Sequence, residues 1–203
     1  MGDAPTPPTY RTVTSAGRAE LAVDGSRFLA VAVHVETVEA ARDRLELIRE
    51  EHEDATHHAF GYRIRPRPLT EHAADGGEPC GSGGGPVLNR LEKESLENAL
   101  VVVTRYYGGT NLGVGRLARA YGRAAGGALG TTTIEAVEPQ SWLRLTVGYD
   151  DSGAVRGIVE SVATEFEASY RETVVFEVRV PRRALESFRD RLRSATAGRV
   201  EFG

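Results

Sequence analysis

Residues 98–129, NALVVVTRYYGGTNLGVGRLARAYGRAAGGAL, decide most of what the sequence predicts about the fold. Residues 99–104 are a continuous apolar, β-branched run, which is typical of a strand buried on both faces or in the centre of a sheet. A helix is expected to begin near Gly115, with Arg116, Arg119 and Arg123 on one face. The sequence therefore predicts a buried strand joined to a basic helix by a glycine-rich loop.

The glycine-rich loop and the start of the following helix are suited to binding an anion. Gly108-Gly109 and Gly113-x-Gly115 allow tight turns and a close approach of the backbone to a ligand, and unpaired amides at a helix N-terminus favour a phosphate. The alternative stays open that the glycines serve only chain geometry and the arginines form a solvated face. Two common nucleotide motifs are excluded, because GxGxxG lacks its third glycine here and GxxxxGK[ST] is absent.

Two further blocks precede this stretch, EHEDATHHAFGYRI at residues 51–64 and DGGEPCGSGGGPVL at residues 75–88. The three blocks, in this order, resemble the YigZ/IMPACT family, and the resemblance covers residues 15–203. It implies an N-terminal IMPACT-type domain, similar in fold to the second domain of a small-subunit ribosomal protein and to domain IV of the translocating elongation factor. It also implies a bacterial YigZ-type C-terminal domain.

The resemblance further implies a link to translation. The eukaryotic family member regulates a stress-responsive translation-control pathway through protein binding, and the bacterial members resemble domains of translation factors. We therefore expect a non-enzymatic binding protein whose partner is RNA, a ribosomal component or a protein.

Length and composition limit the possible classes of protein. The 203 residues, 40% of them hydrophobic, can bury one large or two small domains. The single cysteine excludes a disulfide framework and favours a reducing cytoplasm. No segment approaches the roughly 20 apolar residues that a membrane span needs, so no membrane partner is expected. Residues 1–14 are expected to be a disordered lead-in, because MGDAPTPPTY has no apolar core.

The pattern of elements predicts an α+β protein with two domains, residues 15–138 and residues 139–203. In the first domain we expect strands near residues 11–15, 18–23, 27–35 and 58–64, the last ended by Pro66 and Pro68, and helices near residues 38–52 and 86–97. In the second domain we expect a strand at residues 141–149, a helix at 153–166, strands at 167–171 and 174–180, a helix at 182–194 and a strand at 199–202. This βαββαβ order is that of a ferredoxin-like sandwich, whose open sheet face could bind a partner.

Charge is distributed unevenly, although the formal net charge is only −4. The predicted helix region at residues 36–54 carries eight acidic residues against three arginines. Residues 55–70 contain Arg63, Arg65 and Arg67 without an acid, and residues 99–134 contain four arginines without an acid. If these two segments adjoin, their arginines form a basic field with no local neutraliser, which attracts a phosphate backbone. If they point in different directions, there is no such field.

The candidate site residues fall into three groups. For anion or nucleic-acid binding they are Arg63, Arg105, Tyr107, Gly108, Gly109, Asn111, Gly113, Gly115, Arg116, Arg119 and Arg123. Residues that organise the second glycine-rich loop are Asp75, Gly77, Glu78, Pro79 and Gly81. His52 and His57 are candidates for a polar lining of the same groove. Tyr106 and Tyr107 either stack bases, or one ring fills the core and the other covers the glycine turn.

An enzyme acting on a phosphorylated or nucleotide-like small molecule is the alternative function, with Glu78 or His57 as base. No cofactor is expected. No metal is expected either, since the adjacent His57 and His58 on a strand point to opposite faces. The Cys80 thiol, near Glu78 in sequence, could serve as a nucleophile with Glu78 as its base, but no third group is identifiable to orient a catalytic pair. The oligomeric state is not predicted.

Overall fold

The computed structural model describes residues 9–65 and 68–203. Residues 1–8 of the expected lead-in lie outside the described residues, as do Pro66 and Arg67, the latter a member of the predicted basic field. Contacts divide the chain into two compact units, Tyr10–Val137 and one that includes Glu138–Gly203. Within the described ranges, no helix is long and apolar enough to cross a membrane.

The first unit contains seven strands and three helices within the described residues. In chain order these are β1 (Tyr10–Val13), β2 (Gly17–Val23), β3 (Ser26–His34), α1 (Val38–Glu51), β4 (His57–Ile64), β5 (Thr70–Ala74), α2 (Gly84–Lys93), β6 (Ala99–Tyr106), α3 (Val114–Leu129) and β7 (Ile134–Val137).

Five of these strands form an antiparallel sheet in the order β2-β3-β6-β4-β5. Alternate residues of its strands contribute to two cores. Residues such as Ala59 and Val101 pack with α2 and α3, whereas their neighbours Phe60 and Val102 pack with α1. The sheet is therefore covered by two helices on one face and by one helix on the other.

β6 is the central strand, and every residue from Ala99 to Arg105 is buried. Helices on both faces explain why its sequence is continuously apolar instead of alternating, as the sequence predicted. α1 begins after Thr37, whose side chain accepts a hydrogen bond from the Ala40 amide and caps the helix.

The structure differs from the sequence-based prediction at both ends of the first unit. The assignment of residues 1–14 to a disordered lead-in is wrong for residues 10–13, because β1 pairs antiparallel with β7 in a two-stranded sheet. β7 itself and the edge strand β5 were not predicted. Both are short, and β5, with the sequence TEHAA, lacks the apolar alternation that marks a half-buried strand.

The second unit consists of β8 (Gln140–Val147), α4 (Tyr149–Val162), β9 (Glu165–Tyr170), β10 (Val174–Pro181), α5 (Leu185–Ala195) and β11 (Glu201–Phe202), with a short 3₁₀ turn before α5. Its sheet has the strand order β11-β8-β10-β9. The predicted ferredoxin-like βαββαβ topology is therefore confirmed. The helices cover one face of this sheet, and the other face carries the exposed Trp142 and an Arg144–Glu177 ion pair.

Candidate anion-binding site at the glycine-rich loops

Two glycine-rich loops, residues 75–83 and residues 107–113, lie at the same end of the five-stranded sheet. β5 and β6 both end there, and α2 and α3 both begin there, so the two helices run parallel. They pack closely, and the Arg90 Nε donates a hydrogen bond of 2.8 Å to the Gly122 carbonyl. We call this region, the two loops with the first turns of α2 and α3, the glycine-loop end.

Asp75 organises the first loop. One carboxylate oxygen accepts hydrogen bonds of 2.9 Å from the amides of Gly83 and Gly84, and the other accepts one of 2.8 Å from the Gly81 amide. Burial opposes ionisation of Asp75, but the three amide donors outweigh it and hold the pKa of this carboxyl below its usual value. Asp75 thus uses the free amides at the start of α2. The loop is further closed by Ser82, whose amide donates to the Pro79 carbonyl at 3.0 Å.

A buried polar cluster joins the two loops. Arg105 donates from Nη1 to Glu78 Oε1 at 2.8 Å and from Nη2 to Ser26 Oγ at 3.1 Å. The Tyr121 hydroxyl, on α3, donates to the same Glu78 oxygen at 2.8 Å. Arg105 is only 4% exposed and Glu78 only 9%. Because Glu78 belongs to the first loop while Arg105 lies two residues before the second, this ion pair fixes the loops relative to each other.

Aromatic rings surround the same guanidinium. It lies 5.4 Å from the Phe28 ring centroid and 5.3 Å from that of Tyr107, both within cation–π range. Phe28 in turn contacts Tyr121 edge to face at 5.2 Å. Burial, and then the hydrogen bond to Glu78, raise the pKa of Tyr121, which keeps its hydroxyl protonated as a donor.

His57 completes this cluster at its edge. Its Nδ1 lies 3.1 Å from the Gly76 carbonyl, so Nδ1 carries the proton and donates it there. Its Nε2 lies 3.8 Å from Glu78 Oε2. Both ring nitrogens therefore face protein atoms. Cys80, in the same loop, is exposed and free.

The second loop is fixed at one side and open at the other. Gly108 packs so closely on Gly25 that a Cβ there would lie 2.0 Å from the Gly25 backbone, and its amide donates to Ser26 Oγ at 3.1 Å. Gly113 has φ +72° and open space around it, and it precedes α3 without any side-chain cap. Gly109 is equally open. The amides at the start of α3 therefore remain free of a capping side chain.

Most arginines of the predicted basic field are neutralised, which corrects the expectation that they lack a local acid. Each of four is paired with a carboxylate, as Arg63–Glu71, Arg65–Glu97, Arg105–Glu78 and Arg116–Asp24. These acids are distant in sequence from their partners or lie in neighbouring strands, so the local absence of acid did not reveal them.

Arg63 lies outside the glycine-loop end. Along β6, His57 is opposite Arg105 and Arg63 is opposite Ala99, which places Arg63 six residues further along β4, about 20 Å away at the strand rise per residue. There its guanidinium donates to the Leu96 carbonyl at 3.1 Å. Arg63 and Arg105 therefore do not form one binding surface.

On α3, Arg119 and Arg123 are exposed. Among the residues that the structure describes, no hydrogen bond or ion pair engages the guanidinium of Arg119 or Arg123 on α3. The Arg119 Nη1 lies 3.7 Å from where a Gly115 Cβ would be, so its guanidinium reaches back over the first turn of the helix. Asn111 is also exposed, and its side-chain oxygen accepts a 3.4 Å hydrogen bond from the Tyr107 hydroxyl.

His52 does not share a groove with His57. It lies beside α1 on the opposite face of the sheet, with Nδ1 3.0 Å from the Tyr106 hydroxyl. His58, on the same face, contacts the Thr104 hydroxyl, and burial together with Arg49 lowers the pKa of its imidazole. No three His, Cys, Asp or Glu side chains in the described part of the chain are grouped as a metal site requires.

Ser26 and Tyr121 were missed by the sequence analysis, although both contact the buried ion pair. Tyr121 carried a usable signal, since it is the one side chain with a hydroxyl among the apolar positions of α3 that face the core. Ser26 carried none, because a serine after a turn glycine is common in any hairpin.

Comparisons with known proteins agree with this architecture. The Impact N-terminal domain family matches residues 24–129, and a domain of unknown function matches residues 145–199. The IMPACT family member YvyE of Bacillus subtilis is 32% identical over 195 residues, covering 96% of this chain and 90% of the relative. The IMPACT family member in the pol 5′ region of Thermus thermophilus is 36% identical over 160 residues, covering 78% and 86%.

Among solved structures, one described as a hypothetical protein superposes with a TM-score of 0.75 at 27% identity, covering 96% of each chain. Together with the family matches, these findings confirm the resemblance drawn from the three sequence blocks.

Proposed function

The chain belongs to the IMPACT family, and from that premise we propose that it is a cytoplasmic, non-enzymatic binding protein that acts in the regulation of translation. We infer that its ligand is RNA, free or in a ribosomal component, held by its phosphate backbone at the glycine-loop end and along the adjoining exposed face of α3. The free, exposed Cys80 fits a reducing compartment.

The observation that carries this proposal is the pair Arg119 and Arg123. Both are exposed and unpaired among the described residues, and α3 contains no acidic residue that could neutralise them. A guanidinium offers two donors to a phosphate, and an unpaired one loses no ion pair on binding. Phosphate contacts of this kind supply most of the affinity of proteins for nucleic acids.

The backbone of the second loop supports the same ligand. The amides of the first turn of α3 have no capping side chain, and the open space at Gly109 and Gly113 leaves them accessible. A helix N-terminus with free amides attracts negative charge, and the Arg119 guanidinium lies over that same turn.

The charges on the two faces of the sheet favour one orientation of a polyanion. α1, which covers one face, belongs to the acidic segment of residues 36–54, whereas α3, on the other face, is purely basic. A polyanion is therefore repelled from the α1 face and attracted to the α3 face, despite the net charge of −4.

The alternative, an enzyme acting on a phosphorylated small molecule, has less support. Glu78 already accepts from Arg105 and Tyr121 and is nearly inaccessible, and both nitrogens of His57 face protein atoms. A general base must reach a substrate proton within hydrogen-bond distance, and the buried, hydrogen-bonded Glu78 is poorly placed to do so, while the Nε2 of His57 is directed at the Glu78 carboxylate 3.8 Å away.

The test is binding of labelled single-stranded and duplex RNA to the full-length protein across a salt series. We expect affinity to fall with salt, and the Arg119→Ala/Arg123→Ala variant to bind more weakly with a log–log salt slope shallower by about 1.4 for single strands. The matched control is Arg42→Ala/Arg49→Ala, which removes the same charge from exposed positions of α1.

Equal losses in both variants would show that only net charge matters and would reject the α3 surface. If the wild-type protein binds no RNA at low salt, the proposed ligand is wrong, and a protein partner becomes the next hypothesis to test.

A further inference from the structure

We propose that Tyr107 is a stacking platform for one unpaired base, so that the RNA held at the glycine-loop end is single-stranded there. This inference rests on the proposed function and narrows its ligand. It starts from the exposure of Tyr107 itself, the first residue of the second glycine-rich loop, which is 44% exposed.

One face of the Tyr107 ring lies on a guanidinium that is itself held in place. The Arg105 guanidinium lies 5.3 Å from its centroid and is itself held by Glu78 and Ser26. A buried guanidinium of this kind cannot leave to bind a phosphate, since its countercharge and hydrogen bonds would be lost. Arg105 therefore acts through Tyr107, as the rigid base of the platform.

Tyr107 is also anchored at both of its ends. Its amide donates to the Thr56 hydroxyl at 2.8 Å, and its own hydroxyl donates to Asn111 at 3.4 Å. With one face of the ring on the guanidinium, the exposed area belongs to the other face and the ring edge. A ring held in place loses little conformational entropy when a base stacks on it.

The neighbours of Tyr107 leave room for a base. Gly109, two residues further on, has no side chain, and nothing lies within 4 Å of where its Cβ would be. By contrast, Tyr106 is on the opposite face of the sheet, where it donates to Asp54 at 3.1 Å and contacts His52. Only the second tyrosine of the pair is therefore available for stacking at this site.

A free ring face selects unpaired bases. In a duplex both faces of each base are already stacked, whereas a single strand can present a base to an aromatic side chain. Arg119 and Arg123 then bind the phosphates that flank such a base. The platform consequently predicts a preference for single-stranded over duplex RNA that phosphate contacts alone do not provide.

The test compares single-stranded and duplex RNA for the wild type, Tyr107→Ala, Tyr107→Leu and Tyr107→Phe. Leucine still covers Arg105 but has no π face, and phenylalanine keeps the π face but loses the hydroxyl. We expect Tyr107→Ala and Tyr107→Leu to weaken single-strand binding by about 5- to 150-fold, the range for one stacked base, with duplex binding and the salt slope unchanged. Tyr107→Phe should bind like the wild type.

A 2-aminopurine base in the single strand reports stacking directly. Its fluorescence should be quenched by the wild type and Tyr107→Phe, but not by Tyr107→Leu. The matched control is Tyr170→Ala in the second unit, where Tyr170 is 49% exposed. Equal affinity for both RNAs with no effect of Tyr107→Leu would overturn the platform and leave the proposed function standing. Absence of any RNA binding would overturn both.

Discussion

Replacing Glu78 by Gln should strongly destabilise the first unit. Glutamine has the same size and can still accept the hydrogen bonds from Tyr121 and Arg105, but it removes the countercharge of a guanidinium that is only 4% exposed. Removing one partner of a buried ion pair costs about 3–5 kcal/mol, because the remaining charge stays buried without compensation. This is a large part of the roughly 5–15 kcal/mol by which a domain is stable.

A double-mutant cycle tests whether the charge pair is the cause. Arg105→Met keeps an apolar side chain between Phe28 and Tyr107 and removes the guanidinium partner of the Glu78 carboxylate, so we expect a similar cost. The double variant Glu78→Gln/Arg105→Met carries neither charge. Its loss of unfolding free energy should therefore be smaller than the sum of the single losses by about 2–3 kcal/mol, the upper range for residues in contact.

The assay is urea unfolding of the full chain followed by far-ultraviolet circular dichroism. Amide hydrogen exchange over residues 75–85 and 107–121 assigns the change to the glycine-loop end, which matters because a chain with two units need not unfold in one step. Single losses that add to within about 0.5 kcal/mol in the double variant would refute the reasoning.

Two further predictions concern the loops. Gly108→Ala should destabilise the protein by about 1–2 kcal/mol or more, the cost of overpacking, because its Cβ would lie 2.0 Å from the Gly25 backbone. The control is Gly85→Ala, in open space on α2, which should be neutral or stabilising by up to about 1 kcal/mol in the same unfolding assay. Since the pKa of Asp75 is lowered in the folded protein, its stabilising effect is complete above the ordinary value of 3.8 and is lost as pH falls through the lowered pKa. Unfolding free energy should therefore fall more steeply with acid below about pH 4 in the wild type than in Asp75→Asn, and equal acid slopes would contradict this.

The sequence predicted those parts of the fold that depend on local patterns. The apolar run of β6, the position of α1 and the βαββαβ order of the second unit all follow from periodicity within a few residues. Strand β7 escaped prediction because it is only four residues long and gains its hydrogen bonds from β1, at the other end of the first unit.

The candidate site was predicted less well, for the same reason. Local spacing identified the loop carboxylate Asp75 and the exposed Arg119. It could not show that Arg105 is buried with Glu78, or that Arg63 lies at the far end of β4, because those facts depend on strand register and on residues distant in sequence. Charge counted along a chain says little about charge in space.

The pairing of β1 with β7 also determines how the first unit could be transplanted. Tyr10 and Val137, its first and last residues, are opposite each other in this small sheet, so their Cα atoms lie about 5 Å apart, the spacing of paired strands. A unit whose two ends meet can be inserted into a surface loop of another protein without stretching that loop. The RNA-binding activity proposed for Tyr10–Val137 should thus be transferable to another protein as one segment, whose two ends are held together by the β1–β7 pairing.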